Sequence, residues 1–300
     1  MVIDLIGVPF DGMGRRPGQA GAPAALRANG LLTALAARDV VAGPDLVVPK
    51  ARPERAPGSG FLNEAALLEM TDALYARLRE ALSAGRFPLV YGADCSVLLA
   101  AVPALRDMAG DAGLVFVDGH EDNTPMDISR DGEAANMEVA LLLGLTGERA
   151  PSQLRAHLPA LTFDAVAMLG PRDEAWRRDL GVATLADRVL LCGADDVAAD
   201  PAGRVQDAVR HVRRTAAEWW LHTDLDVLAV REFAARGASG EISLPGGLDW
   251  TQLTEVVTSA MRAGGCRGWS LVIYNPDLDP DGGAARRIVR LVEEVAPHLP

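Results

Sequence analysis

The 300-residue chain predicts an α/β fold built on a mostly parallel central sheet. Short, strongly apolar runs, too short for surface helices, alternate with longer Ala- and Leu-rich segments. Several of these runs end abruptly in acidic residues. Strands buried on both faces read as continuous apolar runs, and open parallel sheets carry their sites beyond the carboxyl ends of the strands.

Taken in order, the first apolar segment leads into a loop with Gly12, Gly14 and Gly18. The spacing mimics a dinucleotide fingerprint, but Pro17 interrupts it and the third glycine comes one place late, so a loop at the mouth of a site is the better reading. Val48 to Gly60, with its Pro and Gly residues, reads as a surface connection. Phe87-Pro88-Leu89-Val90-Tyr91 is a strand that runs through a tight turn, Gly92-Ala93-Asp94-Cys95-Ser96, into a helix beginning near Val97. Gly113-Leu114-Val115-Phe116-Val117 and Trp219-Trp220-Leu221 are buried strands. No repeat or low-complexity tract breaks the pattern, which predicts a single domain over residues 1–300.

The chemistry concentrates where two strands end. After Val117 comes Asp118-Gly119-His120-Glu121-Asp122, and after Leu221 comes His222-Thr223-Asp224-Leu225-Asp226. In extended chain every second side chain shares a face, so Asp118, His120 and Asp122 can converge with Asp224 and Asp226, while Glu121 points away. Burying these groups without a cation costs several kcal/mol per unpaired charge, so a pair of divalent cations is the simplest occupant. Carboxylate-rich ligation with one imidazole suits Mn(II) or another hard-to-borderline ion. His222 lies one step deeper on the same face and is either a proton-transfer group or a hydrogen-bonded core residue.

Read together, Gly92-Ala93-Asp94-Cys95-Ser96, Asp118-Gly119-His120-Glu121-Asp122 and Thr223-Asp224-Leu225-Asp226 resemble the three metal-binding motifs of the arginase, agmatinase and formiminoglutamase superfamily, the ureohydrolases. Ile6 to Asp11, Gly21 to Arg27, Pro245-Gly246-Gly247-Leu248 and Asn275-Pro276 resemble its other landmarks, so the likeness spans most of the chain. The resemblance implies a three-layer α/β/α fold. It also implies two Mn(II) per chain, and a bridging hydroxide that attacks a guanidinium-type carbon and releases urea or a urea analogue. Matched residue by residue, Asp118 and Asp224 bridge the ions, Asp122 and Cys95 complete one, and His120 and Asp226 complete the other.

Departures from the family pattern bear on substrate and metal. Most members carry His where this chain has Cys95, and a thiolate shifts preference toward Zn(II) or Fe(II). Arginases place a proton-shuttling His between residues 124 and 144, and this chain has none there. Glu133 and Glu138 are the acid candidates, although Glu133 in the first turn of a helix would equally complement its dipole. Ile273 stands where arginase-like enzymes place an acid to grip the guanidinium. Either Glu241 or another loop carboxylate supplies the partner, or the substrate is less basic there. A non-catalytic metal-binding or regulatory protein is the alternative, and a deacetylase-like site is disfavoured because no two His are adjacent.

Composition bounds the partners. A net charge of −12, with 29 Lys and Arg, disfavours nucleic acid or anionic membrane and is compatible with a small cationic ligand. The absence of a signal-like or membrane-length apolar segment makes the cytoplasm the expected location. Cys95, Cys192 and Cys266 lack Cys-x-x-Cys spacing and fit reduced thiols. A homo-oligomer is compatible with the resemblance, though no subunit-contact pattern is legible.

Overall fold

The computed structural model of the chain describes residues 1–15, 17–49, 52–237 and 244–300. Residues 50 and 51 of the predicted surface connection, and Glu241, lie outside them. Eight strands form one sheet: β1 (Ile3–Gly7), β2 (Val40–Ala42), β3 (Phe87–Tyr91), β4 (Gly113–Val117), β5 (Val166–Leu169), β6 (Leu190–Cys192), β7 (Trp219–Asp224) and β8 (Cys266–Val272). Every pairing is parallel, in the order β2-β1-β3-β8-β7-β4-β5-β6. The expected three-layer α/β/α architecture is the one observed.

Side-chain alternation divides the apolar residues between the two faces. Leu5, Leu89, Val115, Leu221 and Trp269 pack beneath the helices Pro201–Val212, Trp250–Arg262 and Gly283–Val295. Ile6, Val90, Phe116 and Trp220 pack beneath Glu64–Ser83 and Leu98–Ala109. Both layers are dry, which explains why the strands read as unbroken apolar runs and not as alternating ones. Helix ends obey local chemistry: Asp249 and Gln252 form a reciprocal capping box on Trp250–Arg262, and Gly110, at φ 89°, closes Leu98–Ala109.

Topology sets the position of the site. The chain lays down β1 and β3, crosses to β4 and builds outward through β5 and β6, then returns to fill the gap with β7 and β8. The crevice beyond the carboxyl ends of β3, β8, β7 and β4 is therefore the switch region of the sheet. Register aligns Tyr91, Leu271, Thr223 and Val117 in one row. The next row brings Asp224 and Asp118 side by side, on the face that carries His222 and Phe116 one step below.

Left-handed backbone also gathers at this edge. Of the non-glycine residues described, Asn63, Ala93, Asp122 and Ile273 have positive φ, at 54°, 63°, 43° and 71°. The last three lie just beyond β3, β4 and β8. Such conformations cost of order 1–3 kcal/mol each, and most for a β-branched residue, so their clustering marks a functional edge. Ile273 is held by its N–H, which donates to the Ala93 carbonyl at 3.0 Å. Among the described residues no helix is long and apolar enough to cross a membrane.

One close approach supports the floor of the site. A Cβ on Gly268 would lie 2.1 Å from the Trp220 ring, whose Nε1–H donates to Ser270 Oγ at 3.0 Å. We expect Gly268→Ala to lower unfolding stability by about 1–3 kcal/mol through overpacking. A urea midpoint that stays unchanged would show that Trp220 relaxes freely.

Candidate metal centre

The strand ends bring together all six residues that the motifs single out. Cys95 opens a short 3-10 turn after β3, where Gly92 and Ala93 both take left-handed backbone and Asp94 caps the turn by accepting the Ser96 N–H at 3.1 Å. The Cys95 thiol reaches an Asp224 carboxylate oxygen at 2.9 Å and an Asp118 oxygen at 3.8 Å. On the other side, His120 Nδ1 lies 3.0 Å from Asp226 and 3.5 Å from Asp118. Donor atoms of Cys95, Asp122 and Glu138 lie within 4.8 Å of one another, as do those of Asp118, His120 and Asp226.

Backbone N–H groups hold the carboxylates in place, and two guanidinium groups hold the backbone of Asp226. Asp118 accepts the His120 N–H at 2.7 Å, Asp224 accepts the Asp226 N–H at 2.6 Å, and Asp226 accepts the Gly119 N–H at 3.1 Å. Arg172 and Arg236 each donate to the Asp226 carbonyl at 2.6 Å. Neither arginine was singled out from sequence. Arg172 follows β5 as the ligands follow their own strands, so the strand-end rule could have found it, whereas Arg236 comes from the loop after β7 and only the tertiary structure brings it in.

The even-residue spacing predicted the right faces for a partly wrong reason. The β4 ladder ends at Val117, and Asp226 lies in a 3-10 turn, Leu225–Val227. Asp122 turns inward through its left-handed backbone and not through strand periodicity. Glu121 does face away, as expected. Its carboxylate meets Arg177 at 2.8 Å, the Thr184 hydroxyl at 2.7 Å and the Leu185 N–H at 2.6 Å, and so anchors the loop.

Like charges dominate the electrostatics. Burial, and then the carboxylates of Asp226 and Asp118, push Asp224 well above the usual range. Burial with Glu138 and Asp118 does the same to Asp122, and burial with Asp226 raises Asp118 to about 6. The Cys95 thiol is raised by burial and by Asp224. Burial alone would lower His120, but Asp226 and Asp118 outweigh it and hold the ring protonated. In return His120, with Arg236 and Arg172, holds Asp226 well below the carboxylate range against the effect of burial. An imidazolium thus carries positive charge between two of the donors that a cation would bind.

The three acid–base candidates occupy different positions. Glu138, fully buried in the first turn of Glu138–Leu142, has no hydrogen-bond partner on either carboxylate oxygen, and burial and Asp118 raise it well above its ordinary value. Glu133 does not lie in the first turn of an α-helix. It precedes the 3-10 turn Ala134–Asn136 in extended conformation, so the helix-dipole reading fails. Its side chain lies against Gly12, whose N–H donates to Asp94 at 2.7 Å, which places the glycine loop at the mouth. Loss of solvent, then Asp94 and Asp131, raise Glu133 well above its ordinary value. His222 is buried below the centre, where burial lowers it to about 3 and leaves it neutral.

The donor set fits divalent cations: carboxylates that repel one another, a thiol, an imidazole and an orphaned buried carboxyl group have no other common partner among the described residues. The chain is similar over nearly its whole length to known proteins. The arginase of Staphylococcus aureus (strain COL) is 23% identical over 300 residues, covering 97% of this chain and 95% of that one. The native arginase structure from Bacillus caldovelox superposes with a TM-score of 0.82 at 24% identity, covering 98% and 97%. The proclavaminate amidino hydrolase of Streptomyces clavuligerus superposes with a TM-score of 0.69 at 19% identity, covering 99% and 90%. The model of the arginase family matches residues 2–296, so the chain belongs to that family, as a hydrolase of carbon–nitrogen bonds other than peptide bonds.

Proposed function

We propose that the chain is a binuclear hydrolase of guanidino or amidine compounds, loaded with Mn(II) or, through Cys95, with Fe(II) or Zn(II), working as one catalytic unit over residues 1–300 and releasing urea or a urea analogue. The observation that carries this reading is the convergence at one sheet edge of buried Cys95, Asp118, Asp122 and Asp224 with half-buried His120 and Asp226. Asp118 and Asp224, in the middle of the row, would hold both ions. Cys95 and Asp122 would complete one site, and His120 and Asp226 the other. Bound there, the cations supply Lewis acidity and a water that ionises near neutral pH.

The residues around the centre do the rest. Glu133 is partly exposed at the mouth, and burial with the carboxylates of Asp94 and Asp131 raises its carboxyl group above the ordinary range, which suits it to hand a proton to the departing nitrogen. Glu138 stands at the inner wall beside Asp122 and sets the charge there. Ile273 supplies an apolar wall where an acid would otherwise pair with a guanidinium. A guanidino group made less basic, as by N-hydroxylation, loses less there than an ordinary guanidinium. The similar Streptomyces protein is named for hydrolysis of an amidino group on proclavaminate, which supports a small, modified guanidino substrate. The partner is a small molecule in the cytoplasm and not nucleic acid or membrane, and the enzyme can assemble as a homo-oligomer.

The decisive experiment is metal content per chain after preparation with Mn(II), followed by urea and hydroxyurea release from arginine, hydroxyarginine, agmatine and other guanidino acids. We expect two ions and turnover, with Asp224→Ala losing both. Two ions retained in Asp224→Ala would remove the bridging assignment, and a metal-loaded protein inert to the whole panel would overturn the enzymatic reading. Glu133→Gln should lower kcat by roughly 10²–10⁴-fold with a much smaller change in KM. An unaltered kcat would assign the proton to another group.

The carboxylate shifts also set a pH dependence. Asp118, Asp122 and Asp224 have folded pKa values above their unfolded ones, so the native state binds more protons and metal-free stability falls as pH rises through that interval. For Asp118 the fall runs from about pH 4 to about pH 6. Cations relieve the same repulsion, so the rise in Tm on adding metal should grow between pH 5 and pH 8. A metal-induced shift that shrinks with rising pH would mean that the cations bind elsewhere.

A further inference from the structure

Below the row of carboxylates lies a group that the six-ligand assignment leaves unused. His222, fully buried in β7, has an Nε2 with no hydrogen-bond partner. Its other nitrogen, Nδ1, is 2.7 Å from Ser270 Oγ in β8, and Phe116 in β4 stacks on the ring with centroids 5.2 Å apart and planes 9° from parallel. Ser270 Oγ also accepts the Trp220 Nε1–H at 3.0 Å. Three neighbouring strands therefore fix the plane and rotation of this imidazole, with Nδ1 occupied by Ser270 and Nε2 left without a partner.

Donor atoms of His222, Cys95 and Asp118 lie within 4.8 Å of one another. No hydrogen bond joins the His222 ring to either partner, although Cys95 and Asp118 are linked to each other at 3.8 Å. Two donors bound at roughly 2.0–2.3 Å to one tetrahedral or octahedral ion stand about 3–4 Å apart, so such a gap is the one a shared cation fills. A ligating imidazole donates its second N–H to an outer partner, and Ser270 Oγ is placed to accept it.

We propose that His222 Nε2 is a further metal ligand, which makes the Cys95 half of the centre a thiolate–imidazole–carboxylate pocket selective for Zn(II), Fe(II) or Co(II) over Mn(II). The inference deepens the reading of the cluster as a metal centre and rests on it. Thiolate and imidazole together are softer than the carboxylate-rich His120 half, so the two halves take up borderline metals with different affinities. Cys95 and His222 supply together what a single His supplies in most relatives: a nitrogen donor to this ion from one strand, and a short side chain from the other.

The test uses the full-length chain, stripped of metal and given one equivalent of Zn(II), with X-ray absorption at the zinc edge. We expect a sulfur scatterer at about 2.3 Å together with the outer-shell signature of imidazole. His222→Leu should lose the imidazole signature and keep the sulfur, and Cys95→Ser should do the reverse. Sulfur without imidazole in the unsubstituted protein, imidazole without sulfur, or imidazole that persists in His222→Leu each overturns the proposal. Ser270→Ala keeps the ligand and removes only its support, so it stands in if His222→Leu fails to fold. It should weaken Zn(II) binding by about 10–100-fold, and unchanged affinity counts against us. The two readings fail separately: turnover on the guanidino panel without a His222-dependent signal keeps the hydrolase and loses the ligand, whereas the signal without turnover does the opposite.

Discussion

Mutual repulsion among buried acidic groups organises this molecule. Asp118, Asp122, Asp224 and Glu138 share a space from which water is excluded, with the Cys95 thiol among them, and removal from water raises every one of them. A fold does not keep such a cluster for stability, since an apolar core of similar volume would serve better. On the function proposed above, it is kept to hold cations. The surrounding polar framework follows from that need: backbone N–H groups on Asp118, Asp224 and Asp226, the guanidinium groups of Arg172 and Arg236 on the Asp226 carbonyl, and the His120 imidazolium between Asp118 and Asp226.

The loop from Asp118 to Asp122 shows how the protein resists that repulsion mechanically. Its outward-facing Glu121 is locked by Arg177, Thr184 and the Leu185 N–H, and its own N–H donates to Asp173 at 3.1 Å. At its end, Asp122 adopts left-handed backbone while its carbonyl accepts the Val139 N–H at 3.2 Å, which draws Glu138 into the same wall. Strain at one residue is thereby balanced by hydrogen bonds at its neighbours. The same device recurs between β3 and β8, where Ala93 and Ile273, both left-handed, are tied through the Ile273 N–H.

Specificity resides in what lines the centre. An apolar Ile273, a partly exposed Glu133 beside the glycine loop and the absence of a His between residues 124 and 144 alter the charge that a substrate meets. On the proposed reading, these residues suit the centre to a less basic guanidino group, and Cys95 with His222 moves its metal preference.

How much of this was legible beforehand depended on the range of the forces involved. The apolar runs at 87–91, 113–117 and 219–221 specified buried parallel strands, because only strands dry on both faces need unbroken apolar sequence. The acidic residues just after them specified the site, because parallel strands present their carboxyl ends to one crevice, and the motif spacing carried the family. Strand periodicity also assigned Glu121 to the outside correctly. It could not show that Asp122 turns inward through left-handed backbone, that Glu133 precedes its turn in extended conformation, or that Arg236 reaches the Asp226 carbonyl, since these depend on loops whose geometry is set by distant partners. The sequence by itself determined that the sheet is parallel, that the site lies at its strand ends and which six residues are the candidate donors there. Only the tertiary structure decided which buried groups were left without partners, Glu138 and the Nε2 of His222 among them, because an unsatisfied donor or acceptor is defined by every neighbour around it and not by its place in the chain.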